Sequence, residues 1–387
     1  MSIYIFPENH LILGNSKYLG IELKRQGIPF KFISFELAER PLLRHNALPF
    51  VALKDFNEKF EELIKPGDVC FFSTTPAMRI EKAAYKRILH NTMHIQMWHG
   101  FPMKKIANGA LPYEEREEKR EATVRNRTNK LFFNVMSELE RERMVESFFY
   151  DDYRVNGSAR SDMLFRPMLD EDYVNVPLAQ YDKVREYREV GARVVTIMFT
   201  WTSDQSIYKD EYDEIYRMAA RNPDMLFIIK PHMNDKEIQL EAPTNMIVLG
   251  RGADPYPFVK LSHAVVTDLS SIGVDSLPLK RQGKTEIFFY HKKLNKYIEW
   301  WARGTYNDDY EEIGRVIYDL EDLTKTDLVP VIEGTNFDKY LVAYDGKSCE
   351  RIVKSFDLER HKPKPKLATP PEEAPVLQEQ PASPSPS

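Results

Sequence analysis

The sequence predicts an α/β protein made of two successive parallel-sheet domains that face a cleft. Three observations predict it. Short apolar runs alternate with helical stretches through residues 1–165, which calls for a mainly parallel sheet covered by helices. The same alternation restarts at about residue 192, after a polar and irregular stretch at 169–192. The chain's 387 residues, 42% hydrophobic and 29% charged, suit a folded chain too long for one simple core.

Taken in order, SIYIFP reads as the first strand, ENHLILGNS as a polar turn, and 16–26 as a helix stopped by Gly27. FKFISFE and DVCFFSTT are strand-like, PAMRIEKAAYKRILHN is a helix opened by proline, and MHIQMWHG is a strand again. Residues 113–130 are densely charged with mixed sign, as on a solvated helix. LFFNVMS follows as a strand, and Ser137 with Glu140 matches a capping box that opens ELERERMVESFF. YRVNGSARSDML gives a short strand, a glycine turn and the basic Arg160. In the second half, ARVVTIMFTW, MLFIIKPH, NMIVLGRG, AVVTD and TEIFFY read as strands, the last of them closing the sheet. Helices are expected at SIYKDEYDEIYRMAARN, at DPYPFVKLSH, from Ile272, and through most of 292–358. The expected division is a first Rossmann-like domain at 1–170, a second at 171–345 and a C-terminal helix at 346–360. A Pro-, Ser- and Glu-rich tail at 361–387 has almost nothing to bury and is expected to be disordered.

Several functions are disfavoured at once. A net charge of −5 argues against a general nucleic-acid binder. Cys70 and Cys349 offer neither a disulfide framework nor zinc-ligand spacing, and no metal site is expected. There is no P-loop and no nucleophile elbow. The N-terminus lacks the basic and apolar regions of a signal peptide, and no apolar run approaches the ~20 residues that span a bilayer. A cytoplasmic protein is expected, in contact with the inner face of a membrane if residues 290–306 supply it. That segment mixes Lys292, Lys293, Lys296 and Arg303 with Tyr297, Trp300 and Trp301. It reads either as a contact for anionic lipid or as tryptophans packed beneath the second domain.

In parallel sheets, ligands meet the carboxyl ends of the strands. Four such ends carry chemistry: WHG at 98–100, FTWTSD at 199–204, KPH at 230–232 and TDLSS at 267–271. His99, released into a Gly/Pro turn, can take a proton near neutral pH, with Lys104 and Lys105 drawing anions to the entrance. Ser270 and Ser271 form either a phosphate cradle at a helix start or an ordinary serine cap. Lys230 and His232, two residues apart on one side of a strand, either neutralise a diphosphate or sit in a surface turn. Asp275 either bonds a ribose hydroxyl or caps and packs.

WHGFPMKKI, the Thr200–Trp201 pair of FTWTSD, KPH, TDLSSIGVDSLPL, VNGSARSDML and AYDGKSCERIV occur in one order from about 90 to 355. Together they resemble the ordered motifs of the CDP-glycerol glycerophosphotransferase family, the teichoic acid primases and polymerases. The resemblance implies a GT-B fold and transfer of glycerol phosphate from CDP-glycerol to a hydroxyl of a lipid-linked saccharide, with release of CMP. It implies His99 as general base, and His232 as the group that stabilises charge on the leaving CMP. Gly100, Thr200, Trp201, Lys230, Thr267, Asp268, Ser270, Ser271 and Asp275 would bind the donor. Lys104, Lys105 and Arg160 would meet the acceptor or its anionic groups. Departures fall at Ser203, at Met233 and at Leu269, where the family usually has Arg, Pro and Tyr. They bear on which substrate is used more than on the reaction. A CDP-ribitol-dependent enzyme and a nucleotide-sugar glycosyltransferase are the alternatives.

Overall fold

The computed structural model describes residues 1–8, 10–74, 80–125, 129–200, 206–232, 242–291, 304–306 and 309–363. The first sheet has seven strands in the order β3-β2-β1-β4-β5-β6-β7. These are β1 Ile3–Ile5, β2 Lys31–Ser34, β3 Phe50–Ala52, β4 Val69–Phe72, β5 Met93–Gln96, β6 Leu131–Val135 and β7 Asp152–Val155. The second sheet has six, in the order β10-β9-β8-β11-β12-β13. They are β8 Arg193–Met198, β9 Met225–Ile229, β10 Met246–Val248, β11 Ala264–Thr267, β12 Glu286–Tyr290 and β13 Arg315–Ile317. Every strand pair is parallel, so all strand exits of a sheet lie along one edge. The strands are buried on both faces, which is why they read as continuous apolar runs rather than alternating ones.

Strand order reverses between β1 and β4 in the first sheet and between β8 and β11 in the second. Those reversals open the crevices where ligands settle. The α/β architecture with two parallel-sheet domains is as the sequence predicts.

Four local features differ from expectation. The stretch at 169–192 holds a helix, Leu178–Glu189, whose Tyr181 and Val184 are buried against the second domain. β12 does not close the second sheet, because β13 pairs beyond it. That strand interrupts the helix expected through 292–358, and the described residues beyond it form short helices such as Asp322–Lys325 and Phe337–Tyr340. β3 and the helix Leu53–Leu63, unassigned in the sequence, extend the first sheet's far edge.

Helix Gly14–Arg25 shows how the domains are joined. Nine of its twelve residues are buried, including Lys17, because it is covered on more than one side. Ile21 and Leu23 share a core with Ile3 and Ile5 of β1, and with Ile352 and Val353 of the C-terminal helix Ser348–Ser355. That last helix therefore returns to the first domain, its start held by Asp162, which accepts from Ser348 N (2.9 Å) and Cys349 N (2.7 Å). Toward the second domain, Lys17 Nζ donates to Asp254 Oδ2 at 2.7 Å, and to the carbonyls of Asp172 and Val174. Tyr18 Oη adds a bond to the same carboxylate at 2.9 Å. Both ions of this pair are wholly buried, so each relies on the other to offset its lost hydration.

The capping box at Ser137 forms in altered shape. Ser137 Oγ accepts from Glu140 N at 3.1 Å, while Glu140 Oε2 accepts from Met136 N, one residue upstream of the usual donor.

Candidate active site

A cleft of about 280 Å³ lies between the two sheets' carboxyl edges. Its walls include His99, Gly100 and Lys104 from the first domain, and Thr200, Lys230, His232, Ser270, Ser271 and Asp275 from the second. Residues 131 positions apart in sequence thus meet because both sheets are parallel and their exits face each other.

The loop after β5 makes an apolar inter-domain contact. Its Phe101 and Met103 are buried in a cluster with Leu269, Val274, Ile287 and Phe289 of the second domain. Leu269, a departure from the family pattern, is 2% exposed there, where an apolar side chain packs without needing a hydrogen-bond partner. Arg143 Nη1 donates to Pro102 O at 3.0 Å, and its guanidinium lies 3.8 Å from the Tyr306 ring centre. The strand-like 304–306 pairs with this loop through Lys105 N to Gly304 O (3.0 Å) and Tyr306 N to Met103 O (3.2 Å).

Trp98 has φ +55°, a conformation that costs a bulky residue about 1–3 kcal/mol and so must be held in place. Asn15 holds it: its Nδ2 donates to Met97 O (3.3 Å) and Trp98 O (3.0 Å). Trp98 N donates to Gln96 Oε1 (3.0 Å), and the indole packs 4.2 Å from the His99 ring centre. This kink turns His99 into the cleft. His99 Nδ1 lies 3.1 Å from Ser73 O, which can only accept. The proton is therefore on Nδ1, and Nε2 is left with a lone pair able to receive a proton.

Gly100 is required by close approach. A Cβ there would sit 2.4 Å from Ser271 Oγ and 2.8 Å from Ser271 Cβ. Gly100→Ala should push the two walls apart and weaken ligand binding in the cleft, with calorimetry as the readout. Unchanged affinity would show that this contact does not set the cleft.

Behind the loop lies a buried ion pair between the domains. Arg160 Nε and Nη2 donate to Asp275 Oδ1 at 3.2 and 2.7 Å, and Nη1 donates to His99 O at 2.7 Å. Tyr256 Oη donates to Asp275 Oδ2 at 2.9 Å. Both ions are nearly inaccessible, at 1% and 2% side-chain exposure.

On the second domain, Asp268 ties down the β8 exit. It accepts from Thr200 N (2.8 and 3.0 Å) and Thr200 Oγ1 (2.6 Å), and from Ser270 N (3.2 Å). Lys230 Nζ bonds the carbonyls of Pro231 and Arg251, each at 2.9 Å. The Ser271 side chain makes no capping bond to the four-residue helix Ile272–Asp275. Thr267 Oγ1 donates to Met198 O at 2.7 Å, joining β11 to β8, and Thr267 is fully buried. Thr267 and Lys105 stand off the cleft wall, and Trp201 lies outside the described residues.

The electrostatics of the cleft point to an anion. His99 is pushed down to about pKa 4, by burial first and then by Arg160 and Lys104, against the bond to Ser73. His232 is pushed down to about 4, by burial first and then by Lys230, His99 and Lys104. Burial lowers Lys104 to about 8, with Asp268 opposing. Both imidazoles are thus neutral at pH 7. The positive charges of Lys104, Lys230 and Arg160 help hold them neutral, and the same charges would attract a diphosphate. Among the described residues, no cluster of three His, Cys, Asp or Glu side chains is placed to hold a metal ion.

One wall residue carried no signal in the sequence. Glu8, three residues past β1, lines the same cleft. Nothing in SIYIFPENH separates it from a turn carboxylate.

Two parallel-sheet domains with a cationic cleft between their carboxyl edges define a protein of the GT-B class. Residues 77–355 match the model of the family described as CDP-Glycerol:Poly(glycerophosphate) glycerophosphotransferase, and the chain belongs to that family. It is 24% identical over 255 residues to a teichoic acid poly(glycerol phosphate) polymerase of Staphylococcus epidermidis, covering 59% of this chain. The match spans 32% of that relative, so the chain accounts for about a third of its length. Among solved structures, the wall teichoic acid polymerase TagF superposes with TM-score 0.62 at 17% identity, over 93% of this chain and 89% of that one. A UDP-GlcNAc 2-epimerase from Neisseria meningitidis superposes with TM-score 0.53 at 14% identity, over 92% and 98% of the two chains. At these identities the likeness is one of fold.

Proposed function

We propose that the chain transfers glycerol phosphate from CDP-glycerol to a hydroxyl of a lipid-linked saccharide, in the synthesis of a teichoic acid or a capsule linker. The observation that carries the reading is His99, a neutral imidazole with Nε2 free of a proton, set across the cleft from Lys230, His232 and the paired serines. The acceptor oxygen attacks the glycerol-bearing phosphorus of the donor, and its proton passes to His99 Nε2. The bond from that phosphorus to the bridging oxygen breaks, and CMP leaves with the electron pair. Lys230, His232 and the Ser270 and Ser271 hydroxyls hold the diphosphate and offset the charge gathering on CMP. Positioning and electrostatics of this kind supply most of the catalysis in phosphoryl transfer.

Arg160 and Asp275 take a different part from the anion and donor contacts expected of them in the sequence. Their charges are already matched to each other, and Arg160 also holds the His99 carbonyl, so we assign both to positioning the base. Asp268 likewise orders Thr200 and Ser270 beside the donor. Lys104 serves the anionic substrate, with Lys105 further from it. A lipid-linked acceptor brings the protein to an anionic membrane surface. The candidate contact at 290–306 lies largely outside the described residues, and no described helix is long and apolar enough to cross a bilayer.

Thermal unfolding with a donor panel tests the substrate class, since a ligand that binds only the folded state raises Tm. CDP-glycerol should raise Tm more than CDP-ribitol or UDP-GlcNAc does. Protection by UDP-GlcNAc without protection by CDP-glycerol would overturn the reading in favour of a nucleotide-sugar enzyme.

A further inference from the structure

Glu8 sits past the end of β1, beside the point where the strand order of the first sheet reverses. Its backbone is fixed by a two-way bridge with Leu11, Glu8 N to Leu11 O at 3.0 Å and Leu11 N to Glu8 O at 3.2 Å. The side chain lies over Gly14, which has φ +51° and whose Cβ, if present, would stand 2.1 Å from Glu8 Oε2. Gly14 therefore leaves the space in which the carboxyl group rests. Oε2 is buried and has no hydrogen-bond partner among the described residues, although the residue lines the cleft. A buried acceptor left unpaired is costly, and a ligand hydroxyl would remove that cost.

We propose that Glu8 recognises the acceptor: its Oε2 accepts a hydrogen bond from an acceptor hydroxyl other than the one that attacks. The proposal rests on the glycerophosphotransfer reading of the cleft and deepens it. Only β4 separates β1 from β5, so Glu8 and His99 leave strands two spacings apart, roughly 10 Å at the backbone. A lone hydroxyl cannot reach both groups. The acceptor class this selects is a polyol or saccharide that presents at least two hydroxyls several ångströms apart. Arg160, Asp254, Asp275 and Tyr256 are the charged or titratable groups that Glu8 senses. Burial raises Glu8 to about pKa 7, with Asp254 and Asp275 adding to the rise, while Arg160 and the Asn15 backbone N–H beside the carboxyl group oppose it. The ionised carboxylate is the stronger acceptor, so acceptor affinity should climb as pH rises through 7.

The test compares wild type and Glu8→Gln in steady-state kinetics with CDP-glycerol and a solubilised lipid-linked disaccharide, across pH 6 to 8. The variant should raise the acceptor KM about 10- to 100-fold, the range for losing a charge-assisted bond. CDP-glycerol affinity and Tm should not change, and the pH dependence of acceptor KM should flatten. Product formation by wild type, with an unaltered acceptor KM or an equal loss of donor affinity in Glu8→Gln, overturns the assignment of Glu8 alone. Wild type that leaves CDP-glycerol unconsumed overturns the transfer reading, and this proposal with it. Should Glu8→Gln fold poorly, monodeoxy forms of the disaccharide probe the same bond in wild type. One of them should reproduce the KM increase, and the proposal fails if none does.

Discussion

His99→Ala is expected to lower glycerol phosphate transfer by about 10²–10⁴-fold, the usual contribution of a positioned base. Tm and CDP-glycerol affinity should stay close to wild type. The ring is oriented by one bond to Ser73 O and by contact with Trp98, so its removal deletes a proton acceptor without opening a core. The strained turn that presents it is held by Asn15 through the backbone of residues 97 and 98, and remains in the variant. Initial rates with acceptor, set beside donor calorimetry, decide the matter. A folded variant within threefold of wild type would remove His99 from the mechanism.

Arg160→Met should be the most destabilising single change near the site. It strands the Asp275 carboxylate in a position 2% exposed, with Tyr256 Oη as its one remaining side-chain partner among the described residues. Removing one partner of a buried ion pair costs about 3–5 kcal/mol. The same change removes the donor that fixes the His99 carbonyl at 2.7 Å. The double variant Arg160→Met with Asp275→Leu should regain most of the stability, since an apolar pair tolerates burial. It should not regain the rate, because the His99 loop still lacks its anchor. Denaturant unfolding and transfer assays on the three proteins separate these effects. Unchanged stability in the single variant, or full activity in the double, would show that the pair does not position the base.

The parts of this molecule legible in the sequence are those written in local pattern. Strands such as VCFF and LFFNV are continuous apolar runs because both faces are covered, although the stretches DVCFFSTT and LFFNVMS read from the sequence run two or three residues past their ends. His99, Lys230, His232 and the serines could be nominated as strand-end residues, because parallel topology sends every exit to one edge. Strands β3 and β13 were not legible, because β3 runs straight into the helix Leu53–Leu63 and β13 lies between the helices Asp309–Ile313 and Asp322–Lys325 in a stretch of helical pattern. Contacts between distant segments were also hidden. Nothing near Lys17 indicates that it will be buried against Asp254, 237 residues away. Asp275 read as a ribose or packing group, and its pairing with Arg160 emerges only when the two domains meet. Glu8 was invisible for the same reason, since its significance lies in Gly14 beneath it and the cleft around it.

Transfer of a glycerol phosphate unit, with His99 taking the proton, releases CMP and makes a phosphodiester in one event. Phosphorus NMR on CDP-glycerol and a solubilised lipid-linked disaccharide tests it most directly. CMP and a new phosphodiester should rise in equal amounts with wild type, only when acceptor is present, and neither at a comparable rate with His99→Ala. CDP-glycerol left intact by wild type, or CMP released equally without acceptor or without His99, would contradict it.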